Sequence, residues 1–148
     1  MTDLRNRIVA EARSWIGTPY VHQASCKGAG TDCLGLLRGI WRVLYGQEPE
    51  KIPPYTFDWA EPSQDEVLWR AATRLLQSKP SIEPLPGDVV LFRMRDGSIA
   101  KHVGIIGQAG NLASFIHAYT GHGVVESPLS GPWMRRIVAL FEFPEGER

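Results

Sequence analysis

The sequence predicts an α+β domain, with amphipathic helices in its first half and an antiparallel β-sheet in its second. Residues 3–16 and 33–44 repeat apolar side chains at helical spacing. Beyond Pro80, short runs of β-branched and aromatic residues alternate with glycines, the pattern of strands joined by turns. Helices followed by strands, rather than helix and strand in alternation, separate this class from a parallel α/β sheet. At 148 residues the chain fits a single domain, residues 1–148.

The first helix is expected over residues 3–16, with Leu4, Ile8, Val9, Ala12, Trp15 and Ile16 on its apolar face, Thr2 as N-cap, and Gly17 and Pro19 as stops. Pro19 to Thr31 loses periodicity and reads as a glycine-containing loop. A second helix begins near Asp32, capped by Thr31 or Asp32, with Cys33, Leu36, Leu37, Ile40, Trp41 and Leu44 on one face and Gly46 closing it. Residues 47–62 hold four prolines and are expected to wrap a surface. Ser63 to Glu66 forms a capping-box pattern ahead of a third helix ending near Gln77. Pro86-Gly87-Asp88 is a turn. Strands follow at Val89–Phe92, His102–Ile106, Ser114–Ala118, Gly123–Glu126 and Arg136–Phe143.

Composition narrows the function classes. Sixteen Lys and Arg balance sixteen Asp and Glu, so no net field draws the chain to nucleic acid or an anionic membrane. The 43% hydrophobic content excludes extended disorder, and no apolar run approaches the ~20 residues of a membrane span. Met1 to Arg7 lead into mixed polar sequence rather than an apolar signal core, which implies synthesis in the cytoplasm. Two cysteines, Cys26 and Cys33, make no disulfide framework and leave room for a reduced thiol with a role.

Asp32-Cys33 marks the junction between that loop and the buried helix. A thiol in the first turn of a helix feels the partial positive charge of unpaired N–H groups, which lowers its pKa and activates it as a nucleophile. Such a thiol needs a base and an orienting group, and the histidines are His22, His102, His117 and His122. His102 opens a strand and is expected at the sheet edge. His117 falls on a neighbouring antiparallel strand, so the two imidazoles are expected to hydrogen-bond in series. The alternative for each is a plain structural role, as a buried core cysteine and as satisfied strand histidines.

Gly17-Thr-Pro-Tyr20, Asp32-Cys33-Leu-Gly35-Leu, Pro86-Gly87-Asp88-Val-Val-Leu-Phe, His102-Val-Gly-Ile-Ile-Gly107 and Phe115-Ile-His117-Ala follow one another in this order. The string, over residues 5–143, resembles the NlpC-type family of papain-like cell-wall cysteine peptidases. The resemblance implies a papain-like fold with helices packed on a central antiparallel sheet. It makes Cys33 the nucleophile, His102 its general base and later acid, His117 the group that orients His102, and Tyr20 a hydroxyl that helps hold the oxyanion. It implies hydrolysis of an amide in the peptide stem of peptidoglycan through a Cys33 thioester, commonly at the D-γ-glutamyl-diaminopimelate bond. The insertion at about residues 47–80, with the Val-Glu-Ser-Pro-Leu and Trp-Met-Arg-Arg stretches, resembles the branch carried in bacteriophage tails and gene transfer agents. The implied partners are then tail or baseplate hub proteins, with action at the cell wall of the target; nucleic acid and membrane insertion are not implied.

Leu34 stands where the family usually has Ser. His22 stands where it often has an aromatic residue, and His22 and Asp32 are candidates to line the substrate cleft. His22, Cys26 and Cys33 with Asp32 nearby contain zinc-ligand types, but their spacing matches no common finger, and neither metal nor cofactor is expected. Two other functions are compatible with the sequence. One is a catalytically silent tail plug, whose interface would draw on Trp15, Trp41, Trp59, Trp69 and Trp133. The other is an acyltransferase or amidase using the same Cys and His, since a thioester does not dictate its acceptor.

Overall fold

In the computed structural model, which describes residues 2–51, 55 and 65–145, the first helix α1 (Asp3–Ser14) starts where Thr2 Oγ1 accepts the Arg5 N–H at 3.2 Å. It buries Ile8, Val9 and Ala12 and ends before Trp15. The chain then runs through the loop region. This is not wholly irregular: β1 (Ser25–Cys26) and β2 (Gly30–Thr31) pair as a two-residue hairpin, too short to leave a periodic signal. Helix α2 (Cys33–Tyr45) follows, with Asp32 as its cap and Gly46 ending it at φ +89°, a conformation that favours glycine. Leu36, Ile40 and Trp41 of α2 are buried, and burying a side chain of this kind contributes roughly 1.5–3 kcal/mol.

Helix α3 (Val67–Leu75) begins directly after the Ser63–Glu66 pattern. Ser63 and Gln64, like most of the proline-rich stretch, lie outside the described residues. Glu66 precedes the helix as its N-cap without a side-chain capping bond, and its Oε1 instead accepts the Ala100 N–H at 2.9 Å. The carboxylate therefore tethers α3 to the start of a strand. Past α3, β3 (Gln77–Ser78) adds an unanticipated edge strand to the main sheet.

The remaining strands are β4 (Val89–Arg93), β5 (Ala100–Gln108), β6 (Ser114–Tyr119), β7 (Gly123–Pro128) and β8 (Ile137–Glu142). They form a six-stranded antiparallel sheet in the order β3-β8-β4-β5-β6-β7. Alternation along the strands gives the sheet two apolar faces. Val89, Leu91, Val103, Ile105, Ile116 and Ala118 pack with α1 and α2, whereas Val90, Phe92, Ile106, Phe115 and Leu140 pack on the other side with Leu129 and Trp133. Trp133 belongs to the short helix α4 (Gly131–Met134), and its ring lies 5.0 Å from Phe92 and 4.9 Å from Phe115. This is the α+β, papain-like architecture the sequence implied.

Asp88, fully buried at the start of β4, pins α1 to the sheet. Arg5 Nη1 approaches its Oδ1 at 2.9 Å and Lys79 Nζ its Oδ2 at 2.6 Å, while the Leu85 N–H donates to Oδ2 at 2.8 Å. Two cations and an amide compensate a carboxylate that would be costly to bury alone. Among the tryptophans, Trp15 and Trp41 are core, Trp69 and Trp133 are half-buried, and Trp59 lies outside the described residues. Of the five proposed for an interface, two are therefore consumed by the interior. No helix among the described residues is long and apolar enough to cross a membrane.

Candidate active site

The site forms where the N-terminus of α2 meets the start of β5. Asp32 is 1% exposed and both of its oxygens are engaged. Oδ1 accepts the Gly35 N–H at 2.7 Å, capping α2, and Oδ2 accepts the Gln23 N–H at 2.7 Å together with the Tyr55 hydroxyl. This fixes the loop before α2 and sets Cys33 as the first helical residue, 6% exposed. A cavity of about 240 Å³ opens at this point. Tyr20, His22, Asp32, Cys33 and His102 all border it.

His102 does not sit at a sheet edge as the sequence suggested. It lies on β5, paired with β4 on one side and β6 on the other, and is 7% exposed. The pairing slips here: Phe92 faces His102 and Arg93 faces Ala100, so Lys101 is an extra residue of β5. Bulges of this kind re-aim side chains beside sites. Behind His102, on β6, His117 is fully buried, and His102 Nε2 lies 2.8 Å from His117 Nδ1. His117 Nε2 in turn lies 2.9 Å from Ser127 Oγ on β7. The expected series of two imidazoles is present and ends on a hydroxyl.

Electrostatics reverse one expectation. Burial, reinforced by the Asp32 carboxylate, pushes the Cys33 thiol up to about 12. The backbone N–H groups of Val103, Leu34 and Cys33 itself act in the expected direction, but desolvation outweighs them. Burial likewise pushes His102 down to about 4. His117 falls to about 3 through burial and the nearby His102 and His122. At neutral pH the pair is therefore a thiol and a neutral imidazole rather than a thiolate–imidazolium ion pair.

These shifts predict an acid-sensitive fold. An unfolded histidine takes a proton near pH 6.5, whereas His102 and His117 in the folded chain take theirs near 4 and 3. Between these values the unfolded state binds more protons, so stability falls as pH drops from about 6.5 toward 3. The thermal midpoint is expected to decline steeply over that window and to decline less in His117→Asn. An unchanged slope in that variant would contradict the assignment.

Tyr20 pairs with Thr31 through backbone and is half-buried. Its hydroxyl bonds with the Thr120 side chain, while burial and the proximity of Cys33 raise its pKa to about 12, so it is a protonated donor at the cavity. His22 is more exposed; its Nε2 lies 3.1 Å from the Tyr55 carbonyl and its Nδ1 3.9 Å from Asp32 Oδ2. Sequence reasoning did not single out Ser127, Tyr55, Thr120 or Lys101. Ser127 was visible only as part of the Val-Glu-Ser-Pro-Leu stretch, because its contact with His117 is diagonal across two strands. Cys26 and Cys33 are both free thiols, Cys26 exposed. Among the described residues no three His, Cys, Asp or Glu side chains are grouped to hold a metal ion, so the zinc-like spacing forms no site there. A larger, mostly apolar hollow of about 350 Å³ lies between α2, α3 and the sheet, and among the described residues on its walls there is no nucleophile with a base.

The model of the NlpC/P60 family matches residues 17–141. A curated relative from Escherichia coli K12, named murein DD-endopeptidase MepS/murein LD-carboxypeptidase, is 31% identical over 134 residues, which cover 90% of this chain and 60% of the relative. A γ-DL-glutamyl hydrolase of Bacillus subtilis 168 is 28% identical over 92% of this chain and 29% of its own length. The chain thus spans 60% of the first relative and 29% of the second, less than two thirds of either. Among solved structures, the NlpC/p60 domain of the peptidoglycan hydrolase SagA superposes with a TM-score of 0.62 at 23% identity, covering 94% of this chain and 98% of that one. The alignment covers nearly that whole solved chain and supports the fold.

Proposed function

Because this chain belongs to the NlpC/P60 family and is homologous to its hydrolase members, we propose that it is a peptidoglycan hydrolase of the cysteine-peptidase type. Cys33 acts on an amide of the stem peptide. The observation that carries the proposal is the convergence of Cys33 and His102 on one cavity, with His117 and Ser127 in line behind the imidazole.

The hydrogen-bond chain suits a base. If His117 Nε2–H donates to Ser127 Oγ, then His117 Nδ1 accepts from His102 Nε2–H, and His102 Nδ1 is left without a proton. That nitrogen takes the Cys33 proton as sulfur attacks the carbonyl carbon, so charge separates only as the new bond forms. His117 then stabilises the imidazolium by accepting its Nε2–H. The Tyr20 hydroxyl and N–H groups at the start of α2 are donors for the oxyanion, a contribution of several kcal/mol when such donors are preorganised. His102 gives its proton to the departing amine and the acyl group remains on sulfur. Water, deprotonated by His102, then splits the thioester and regenerates the thiol. Asp32, with both oxygens taken, holds the helix start, and His22 borders the entrance.

The single domain 1–148 is proposed to act on the D-γ-glutamyl-diaminopimelate bond. The relatives' names point to more than one bond, which makes product identity the deciding observation. Diaminopimelate-type peptidoglycan incubated with reduced protein is expected to release stem fragments whose masses place the cut after D-glutamate. Fragments cut at the cross-link would move the assignment to that bond, and no fragments at all would overturn hydrolysis. Placement in a phage-like tail or gene transfer agent particle rests on the insertion and the two closing stretches, and detection of the chain in purified particles is its direct check.

A further inference from the structure

We propose that Trp133 is a positioning residue for the reaction, the side chain that walls the His102–His117 pair off from water outside the cavity. This assignment deepens, and rests on, the hydrolase reading above. Trp133 opens the Trp-Met-Arg-Arg stretch, which the mechanism leaves unused, and it is not among the described residues bordering the cavity. It therefore acts through the imidazoles. Its ring lies 5.8 Å from His102, 5.5 Å from His117 in an edge-to-face contact, and 5.8 Å from Tyr119. With Phe92 and Phe115 the indole meets five rings at the spacing of packed aromatic pairs. Phe92, Phe115 and His117 are fully buried and Trp133 is half-buried, so the indole is the layer between that cluster and solvent. Helix α4 is tied to the sheet at both ends. The Leu129 N–H donates to the Ala113 carbonyl at 2.9 Å, and the Arg93 N–H donates to the Arg136 carbonyl at 3.0 Å.

Charged and titratable groups approach the pair from several elements. Asp32 and Cys33 stand at the start of α2, Lys101 on β5, Tyr119 on β6 with His122 stacked on it, and the Arg136 guanidinium over the far side of the indole cluster, 5.8 Å from the Trp133 ring. The loops bring Tyr20, His22 and Tyr55 to the same cavity, while β4 offers the apolar Phe92 and β7 the Ser127 hydroxyl. His117 is pushed down by burial first and then by His102 and His122, but for His102 burial is the whole cause. Water admitted through the place of the indole is therefore expected to raise the proton affinity of His102 toward that of a free imidazole, which ionises near pH 6.5. A base that keeps its lone pair in acid solution would then be one that takes protons from solvent and loses activity there.

The test follows the ring protons of His102 and His117 by NMR as pH is lowered, in wild type and in Trp133→Phe, Trp133→Leu and Trp133→Ala. Two coupled imidazoles titrate as a pair, and the first proton is expected near pH 4 in wild type. In Trp133→Ala it is expected at least about one pH unit higher, a tenfold gain in proton affinity, with a smaller rise in Trp133→Leu and little change in Trp133→Phe. Circular dichroism at pH 7 checks each fold, and Trp133→Leu decides the matter where the alanine variant does not fold. A tryptophan with a packing role alone would lower the thermal midpoint and leave the titration where it was. That result, an equal shift in Trp133→Phe and Trp133→Ala, or a wild-type pair titrating near pH 6.5 overturns the assignment. The rate of fragment release from diaminopimelate-type peptidoglycan, measured against pH, separates the two proposals. Its acid limb is expected to move with the NMR midpoint. Cleavage whose acid limb stays put in the folded variants removes the role of Trp133 and leaves the hydrolase, whereas a shifted titration with no cleavage at any pH removes the hydrolase and leaves the indole as the cover of the pair.

Discussion

Cys33→Ala protein is expected to release stem-peptide fragments at least about ten-thousandfold more slowly than wild type, with its fold retained. The rate prediction follows from the loss of the covalent step, for which the described residues bordering the cavity offer no second thiol. Retention of the fold follows from packing. Cys33 is a small side chain at the start of α2, and its removal opens little volume in the core cluster that also holds Leu36 and Val103, at a cost of about 1 kcal/mol. The helix start does not depend on it, because Asp32 makes the capping bond. Circular dichroism and a thermal melt on the same sample would establish the fold, and product mass spectrometry the activity. Hydrolysis at wild-type rate by Cys33→Ala would end the mechanism proposed for this site.

Gly35→Ala is expected to have the largest effect on stability and to remove activity with it. A Cβ at Gly35 would lie 2.0 Å from the Ala24 carbonyl oxygen and 2.4 Å from Thr31 Oγ1, separations that no packed structure accommodates. Neither obstacle is the free end of a flexible chain. The Ala24 oxygen is backbone and accepts the Asp32 N–H at 3.3 Å, and Thr31 is fully buried in the strand that pairs with Ser25. The loop must therefore withdraw from the first turn of α2. With it would go the Ser25 hydroxyl bond to the Gly35 carbonyl at 2.6 Å and the Asp32 cap. The expected loss is at least about 3 kcal/mol, at the upper end of overpacking effects, read as a lower midpoint in urea. A midpoint equal to that of wild type would show that the loop does not rest on the helix as described.

The helices were legible in the sequence because burial on one side of a helix imposes a period, and Ile8, Ala12, Leu36 and Ile40 keep it. The strands were legible because glycines and turns punctuate them. The two-residue strands were not, because pairs such as Gln77–Ser78 gain their identity only from a partner, here β8, far along the chain. The role of Glu66 was hidden for a related reason: it fits a local capping box, yet the Ala100 N–H across the fold takes its side chain.

For the site, the order of Tyr20, Cys33, His102 and His117 along the chain pointed to the chemistry, since residue type and motif are one-dimensional information. The alternating pleat and the short connection between β5 and β6 were enough to predict that His102 and His117 would meet. Tertiary structure alone decided the charge state. Placed at a helix N-terminus, Cys33 reads as an activated thiolate, but enclosure beside the Asp32 carboxylate makes it a thiol, and the same enclosure strips His102 of its proton. It also decided that Ser127 closes the imidazole chain and that Lys101 stands at the cavity. A sequence records which groups a chain carries and the period at which they recur. How much water each group loses, and which distant backbone or side chain replaces that water, depends on elements that meet only when the whole chain has folded.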